Sequence, residues 1–197
     1  MSNWWKQAEK IPFESSNFQK IIQFYLFECP VVHKKGKGEK QKLSKVSNRA
    51  KTLREYGWEN NYLKTLIANM KKTSTERLEY KVIKIKSEIV NEYNIFEKEN
   101  KLKDKDNEII FIHKRDDMSI TEAIFYYIRN AFAHGSFSIK NKTYYLESLK
   151  DGEVTARIRL REKTLLNWID MVKMKPDNVK KQNNREITSK KRKNKVA

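Results

Sequence analysis

The sequence predicts a mainly α-helical protein: a bundle of four to five helices with a short antiparallel β-hairpin after the motif helix. Two observations carry this prediction. Apolar residues recur at spacings of three and four over most of residues 15–135, which is the period of a helix that packs against a core. After residue 136 the spacing changes to alternation by two, the period of a strand. With 11% aromatic residues, the composition is that of a chain that folds.

Three helices are predicted before residue 71. Ser15 or Ser16 can cap the first, which runs to about Cys29 and ends at Pro30. A basic helix follows at about 40–56, with an apolar stripe at Leu43, Val46, Ala50 and Leu53. The third has its apolar positions at Trp58, Tyr62, Leu63, Leu66, Ile67 and Met70.

Two further helices are predicted between residues 74 and 135. Ser74 or Thr75 can cap a long helix with apolar residues at Leu78, Val82, Ile85, Ile89, Tyr93 and Phe96. The apolar run at 109–112 is too short to assign to helix or strand. Ser119 and Glu122 form a capping-box pattern, which opens a helix that Gly135 ends.

The remainder of the chain predicts the hairpin and one more helix. Strands are expected at 136–140, 143–149 and 154–160, with a turn at 150–152. In the last strand, arginines alternate with apolar residues, which predicts one buried face. A final helix covers about 164–174. We therefore expect one helical domain at 1–175 and a basic, disordered tail at 176–197.

The net charge of +18 is concentrated in two segments. Residues 33–54 and 173–197 each carry a net charge of +8, which indicates a polyanionic partner, RNA or DNA ahead of a membrane surface. The alternative is that a composition rich in Lys, Asn and Ile produces the charge without any such partner. The candidate RNA-binding residues are Lys42, Lys45, Arg49, Lys51, Arg54, Lys190, Lys191, Arg192 and Lys193.

Several classes of protein are disfavoured. A single cysteine, Cys29, excludes an internal disulfide framework and a cysteine-based zinc site. The sequence contains no Gly-rich phosphate loop and no nucleophile elbow. It has neither an apolar run of about 18–20 residues nor the pattern of a signal peptide. We expect a cytoplasmic protein that needs no cofactor and does not insert into a membrane.

The chemistry is concentrated in residues 127–135. Arg129, Asn130 and His134 are the polar residues at the end of an otherwise apolar helix, and Asn130 and His134, four residues apart, share a face if the helix continues to His134. A histidine before a helix-ending glycine can also simply cap carbonyl groups, and Arg129 can pair with an acid. The residue pattern alone therefore leaves a structural role open.

The segment from Arg129 to Gly135, RNAFAHG, resembles the Arg–(four to six residues)–His motif of the HEPN superfamily. HEPN domains are mostly α-helical and include many ribonucleases. The hairpin and the late helix resemble those of small stand-alone bacterial HEPN proteins. The resemblance implies a helical bundle, a homodimer and RNA as substrate. It also implies a metal-independent endoribonuclease, acting as a toxin or an antiviral defence effector.

The resemblance assigns catalytic roles to Arg129, Asn130 and His134. The alternative is a non-catalytic HEPN module that binds RNA or another protein. Neither the RNA target nor a controlling partner such as an antitoxin is identified by the sequence.

Overall fold

A five-stranded mixed β-sheet organises the chain. The computed structural model describes residues 11–30, 32–33, 44–45, 51–58, 61–102, 107–174, 176 and 178. The helices are α1 (Ser16–Ile22), which continues as a π-helical turn at Gln23–Glu28, α2 (Asn61–Lys72), α3 (Glu88–Leu102), α4 (Ile120–Ala133) and α5 (Glu162–Lys173). The strands are β1 (Val32–His33), β2 (Ser44–Lys45), β3 (Leu78–Ile83), β4 (Glu108–His113), β5 (Phe137–Lys140), β6 (Thr143–Lys150) and β7 (Glu153–Arg161).

The sheet has the strand order β3-β4-β7-β6-β5. β3 and β4 are parallel and are joined by α3, whereas the other neighbouring strands are antiparallel. β1 and β2 form a separate antiparallel pair of two residues each. The predicted mainly helical bundle is therefore wrong, and the chain has an α/β fold.

The error begins at residue 78, where a strand forms in place of the first half of the predicted long helix. A spacing of four residues, as between Leu78 and Val82, fits both a helix and a strand, because it is about one helical turn and also two repeats of a strand. The parallel partner decides between them, since β4 pairs with β3 from Leu78–Glu108 to Ile83–His113. Only the second half of the predicted helix forms, as α3.

Helices cover both faces of the sheet. α1, α2, α4 and α5 pack with one face around a single large core, while α3 packs on the other face. Two buried indoles donate hydrogen bonds that connect α5 to its neighbours, Trp168 to α2 and Trp58 from the segment 51–58. Trp168 Nε1 donates to Met70 O at 2.9 Å, and Trp58 Nε1 donates to Val172 O at 3.0 Å. These layers fix α4, which carries the candidate motif, against the sheet.

Two arginines of β7, Arg157 and Arg159, are buried, whereas alternation in the sequence predicts one solvated face. α3 covers that face, and Arg157 and Arg159 are only 1% and 7% exposed. Arg157 Nε donates to Glu147 Oε2 on β6 at 2.9 Å. Arg159 donates two hydrogen bonds to Asn107 O and one to Glu97 on α3. Paired charges therefore form part of the layer between the sheet and α3.

The hairpin and the last helix are confirmed. β5, β6 and β7 lie at the predicted places, and α5 lies close to its predicted range. Asp151 and Gly152 connect β6 to β7 with positive φ angles of 54° and 79°, which glycine adopts without strain.

The predicted basic helix at 40–56 is wrong where the structure describes it. Ser44 and Lys45 are in a strand, and residues 53–57 form turns that end at Gly57, with φ +88°. The other residues of this prediction, and all of the predicted tail except residues 176 and 178, lie outside the described part of the chain.

Candidate functional site

The motif helix, α4, has the termini that the sequence predicts. Ser119 is the N-cap, and its Oγ accepts a hydrogen bond from Glu122 N, while Glu122 Oε2 accepts one from Ser119 N at 2.8 Å. At the other end, His134 N–H donates to Asn130 O at 3.1 Å and Gly135 follows with φ +64°. The capping box and the glycine thus set the length of α4 and bring the motif to its C-terminal end.

The three motif side chains differ in exposure. Asn130 is buried, Arg129 is half-buried and His134 is exposed. Arg129 Nη1 donates to Asn130 Oδ1 at 3.3 Å, so the amide holds one arm of the guanidinium. The imidazole of His134 makes no hydrogen bond or ion pair within the described part of the chain and is available to a ligand.

Arg129 also contains an unsatisfied donor. Its Nε is buried, and no acceptor among the described residues lies within hydrogen-bond distance. Unsatisfied buried donors are uncommon in native structures and cost stability. This one lies in a side chain to which the HEPN resemblance assigns a catalytic role.

Cys29 packs against α4 one turn before Arg129. It follows the π-helical turn, is buried, and its Sγ donates to Phe125 O at 3.6 Å. Burial raises the pKa of the thiol well above its ordinary value, and the charge of Arg129 offsets part of that rise. Cys29 is therefore a protonated packing residue beneath the motif.

We predict that Cys29 is protected from alkylation in the folded protein. Only the thiolate reacts, and each unit of pKa increase lowers its fraction about tenfold at pH 8. Labelling with iodoacetamide should be slow in buffer and fast in urea, as followed by mass spectrometry. Equal rates in the two conditions would contradict the buried placement.

Part of the basic segment is held against the end of the π-helical turn by Tyr56. Tyr56 Oη donates to Glu28 O at 3.2 Å, and Lys51 Nζ lies 5.6 Å from the centre of the Tyr56 ring. The pKa of Tyr56 is raised to about 12, chiefly by burial, with smaller contributions from Glu28 and Cys29. Tyr56 thus ties the turn that carries Lys51 to the backbone directly before Cys29.

The structure describes only three of the candidate RNA-binding residues. Lys51 and Arg54 are exposed on the turn at 51–58. Lys45 is in β2, and only its backbone is described. The remaining predicted contacts lie outside the described residues: Lys42, Arg49, Lys190, Lys191, Arg192 and Lys193.

The structure adds two pockets that the sequence did not predict, one on each side of residues 113–115. We call the first the cationic pocket. It has a volume of about 270 Å³ and is lined by Lys86, His113, Lys114, Arg115, Asp116, Tyr126, Tyr127, Lys150 and Thr155. The second, of about 440 Å³, is more apolar and is lined by Val82, Ile112, His113, Lys114, Arg115, Met118, Ser119, Ile120 and Ala123.

Both pockets lie where β3 and β4 end. The carboxyl ends of parallel strands are the usual ligand-binding edge of an open α/β sheet. The sequence feature that could have indicated these pockets is the charged run at 113–117, directly after the apolar run at 109–112. Assigning 109–112 as a parallel strand would have indicated this edge.

The described residues contain no group of three or more His, Cys, Asp or Glu side chains that could hold a metal ion. Among the helices in these same parts of the chain, none has both the length and the hydropathy needed to cross a membrane. Searches with protein-family models, curated proteins and solved structures find no match for this chain.

Proposed function

We propose that the protein is a metal-independent endoribonuclease of the HEPN type, with Arg129, Asn130 and His134 as catalytic residues. One observation carries the proposal: an exposed imidazole lies at the same helix end as a guanidinium whose arm is held by a buried amide. The fold differs from the bundle that the resemblance implied. The proposal therefore rests on these motif residues and on their placement.

RNA supplies its own nucleophile, the 2′-hydroxyl. In the proposed step, a base takes the proton of that hydroxyl and the 2′-oxygen forms a bond to phosphorus. The bond from phosphorus to the 5′-oxygen breaks, and an acid protonates the leaving oxygen. The products are a 2′,3′-cyclic phosphate and a 5′-hydroxyl.

The motif side chains suit these roles. An imidazole exchanges protons near neutral pH, so His134 serves as the acid–base group. The guanidinium of Arg129 stabilises the charge that develops on the phosphate oxygens. Asn130 is buried and bonded to Arg129, so it orients the guanidinium without taking part in proton transfer.

One copy of the chain supplies only one motif histidine, whereas the step needs both an acid and a base. A homodimer related by a two-fold axis, as the HEPN resemblance implies, would bring two motifs together. The exposed position of His134 at the end of α4 is compatible with that arrangement. Lys51 and Arg54 would then contact the RNA backbone without reading its sequence.

The chemistry of the products tests the proposal. A labelled RNA oligonucleotide should be cut by the purified protein to a 2′,3′-cyclic phosphate end, identified by mass spectrometry. A single 2′-deoxy substitution at the cut position should abolish that cut and leave the others unchanged. Cleavage at the substituted position, or of the matching DNA, would contradict attack by the substrate's own hydroxyl.

A further inference from the structure

α4 is open to solvent along one strip. The partly or fully exposed positions between residues 122 and 134 are Glu122, Tyr126, Arg129, Ala133 and His134, and the helix residues between them are buried. Glu122, Tyr126, Arg129 and Ala133 follow one another at spacings of four, three and four, which places them on one side of the helix, and His134 is the exposed C-cap residue directly after it. We call this side the open strip of α4. It leads from Tyr126 at the cationic pocket to Arg129 and His134 at the motif.

The cationic pocket and the motif are close enough to contact one polymer. Tyr126 and His134 are separated by eight residues, which corresponds to about 12 Å along a helix axis. Tyr127 fixes the pocket to the sheet, because its Oη donates to His113 O at the end of β4 at 3.0 Å. The pocket therefore has a fixed position relative to the motif.

The lining carries an excess of positive charge. Lys86, Lys114, Arg115 and Lys150 line the pocket, against one carboxylate, Asp116. Lys150 is exposed and has no acidic partner within the described part of the chain. An anion in the pocket would therefore be met by at least one cation that no carboxylate neutralises.

Two of the other cations are held only by exposed ion pairs. Lys86 Nζ lies 3.1 Å from Glu153 Oε2, and Lys114 Nζ lies 2.9 Å from Asp116 Oδ1. Exposed pairs of this kind contribute little to stability. Replacing these ion pairs by contacts with a phosphate therefore costs little free energy.

Arg115 is the fixed cation of the pocket. It donates two hydrogen bonds to Asp117, from Nε at 2.9 Å and from Nη2 at 2.6 Å, and these bonds raise its pKa. Its guanidinium carbon lies 4.4 Å from the centre of the Tyr126 ring. Both residues line the pocket, and Tyr126 also belongs to the open strip.

We propose that the cationic pocket binds a backbone phosphate of the same RNA chain whose scissile phosphate lies at Arg129 and His134. This inference rests on the proposed function and adds a second contact to it. Lysine contacts to phosphate position a nucleic acid and carry no sequence information. An RNA chain fits better than a free nucleotide, because the open strip connects the pocket to the motif.

The test compares two double variants with equal charge change. Lys114→Ala/Lys150→Ala removes two exposed lysines of the pocket, and Lys98→Ala/Lys101→Ala removes two exposed lysines of α3, on the other side of the sheet. Affinity for a ten-nucleotide RNA is measured from 50 to 200 mM salt. Cleavage of that RNA and of a dinucleotide is measured alongside.

The pocket variant should bind the ten-nucleotide RNA on the order of tenfold more weakly at low salt. The slope of the logarithm of its binding constant against the logarithm of the salt concentration should become shallower by about 0.7 for each phosphate that the variant no longer neutralises. The affinity and the slope of the α3 variant should stay near those of the wild type. The advantage of the ten-nucleotide RNA over the dinucleotide in kcat/KM should shrink in the pocket variant. Equal binding by the two variants would overturn the inference while leaving cleavage intact.

Other outcomes separate the pocket from the catalytic proposal. The binding of uridine 5′-monophosphate is measured as well. If this nucleotide binds the wild type as tightly as the ten-nucleotide RNA does, and binds the pocket variant more weakly, the assignment of the pocket to an RNA chain is overturned. If the pocket variant loses RNA affinity but the wild type cuts no RNA, the pocket stands as an RNA-binding site and the catalytic proposal fails.

Discussion

Replacing Arg129 by alanine should slow RNA cleavage about 10²–10³-fold while the protein still folds. Loss of one preorganised donor to a developing oxyanion has a cost of that size. Arg129 is half-buried, and its one side-chain hydrogen bond in the described part of the chain is to the adjacent Asn130, so we expect little change in stability. Single-turnover cleavage rates and thermal unfolding measure the two effects.

Matched variants show whether the loss of cleavage is caused by the position of Arg129 or by the loss of a positive charge. Arg77→Ala removes the same charge from a side chain that is 72% exposed and paired with Glu79, and it should cut RNA like the wild type. Arg129→Lys should restore little activity, because an ammonium cannot reproduce the fork of the guanidinium. If Arg77→Ala and Arg129→Ala lose activity equally, Arg129 has no specific role.

Asn130 provides a graded comparison within the motif. Asn130→Ala should slow cleavage by the same amount as Arg129→Ala or less, because the amide positions the guanidinium and transfers no proton. We expect it to lower stability more than Arg129→Ala, since Asn130 is only 8% exposed.

The largest stability effect is expected from breaking the buried pair Arg157–Glu147. The side chains of Arg157 and Glu147 are 1% and 5% exposed, and their atoms are 2.9 Å apart. Glu147→Leu should lower the free energy of unfolding by about 3–5 kcal/mol, because it leaves Arg157 buried without its carboxylate. Urea denaturation followed by tryptophan fluorescence measures the loss.

Two controls test that explanation. The double variant Glu147→Leu/Arg157→Met should recover most of the loss, since it removes both buried charges of the pair. Glu153→Ala breaks the exposed pair with Lys86 and should change the free energy of unfolding by about 1 kcal/mol or less. A double variant as unstable as Glu147→Leu would contradict the charge explanation and indicate loss of packing instead.

Local signals predicted the parts of the fold that depend on nearby residues. Ser119 and Glu122 are three residues apart, so their capping box can be read directly from the sequence. The turn at Asp151 and Gly152 has the same property, because its backbone conformation favours the residue types present. Both predictions are confirmed.

The sheet could not be read in this way because its decisive pairing is long-range. β3 and β4 are parallel neighbours separated by α3. Leu78, Tyr80 and Val82 do alternate with Glu79 and Lys81, but the spacings of three and four that continue to Phe96 favoured one long helix over this short strand pattern. The burial of Arg157 and Arg159 has the same cause, since α3 covers a face that the sequence pattern predicts to be solvated. The predicted bundle failed at these contacts.

The candidate site likewise has a part that can be read from neighbouring residues and a part that depends on long-range contacts. Arg129, Asn130 and His134 lie within one segment, so the motif could be recognised from spacing. The cationic pocket combines residues from the end of β4, the loop before α3, the end of β6, the start of β7 and the middle of α4. No local pattern in the sequence links these five places.

Incubation of the purified 197-residue chain with a labelled RNA in excess EDTA compares wild type with His134→Ala. His134 is exposed and makes no side-chain hydrogen bond in the described part of the chain, so its removal should leave the fold intact. Ser136→Ala is the neighbouring control, because a serine nucleophile has no place in the proposed step.

We predict that wild type and Ser136→Ala cut the RNA in EDTA, and that His134→Ala is slower by about 10²–10⁴-fold while it still binds the RNA. RNA that remains intact with wild type in EDTA but is cut when Mg²⁺ is added would contradict a metal-independent reaction. Equal cleavage by wild type and His134→Ala would contradict the assignment of His134 as the acid–base group.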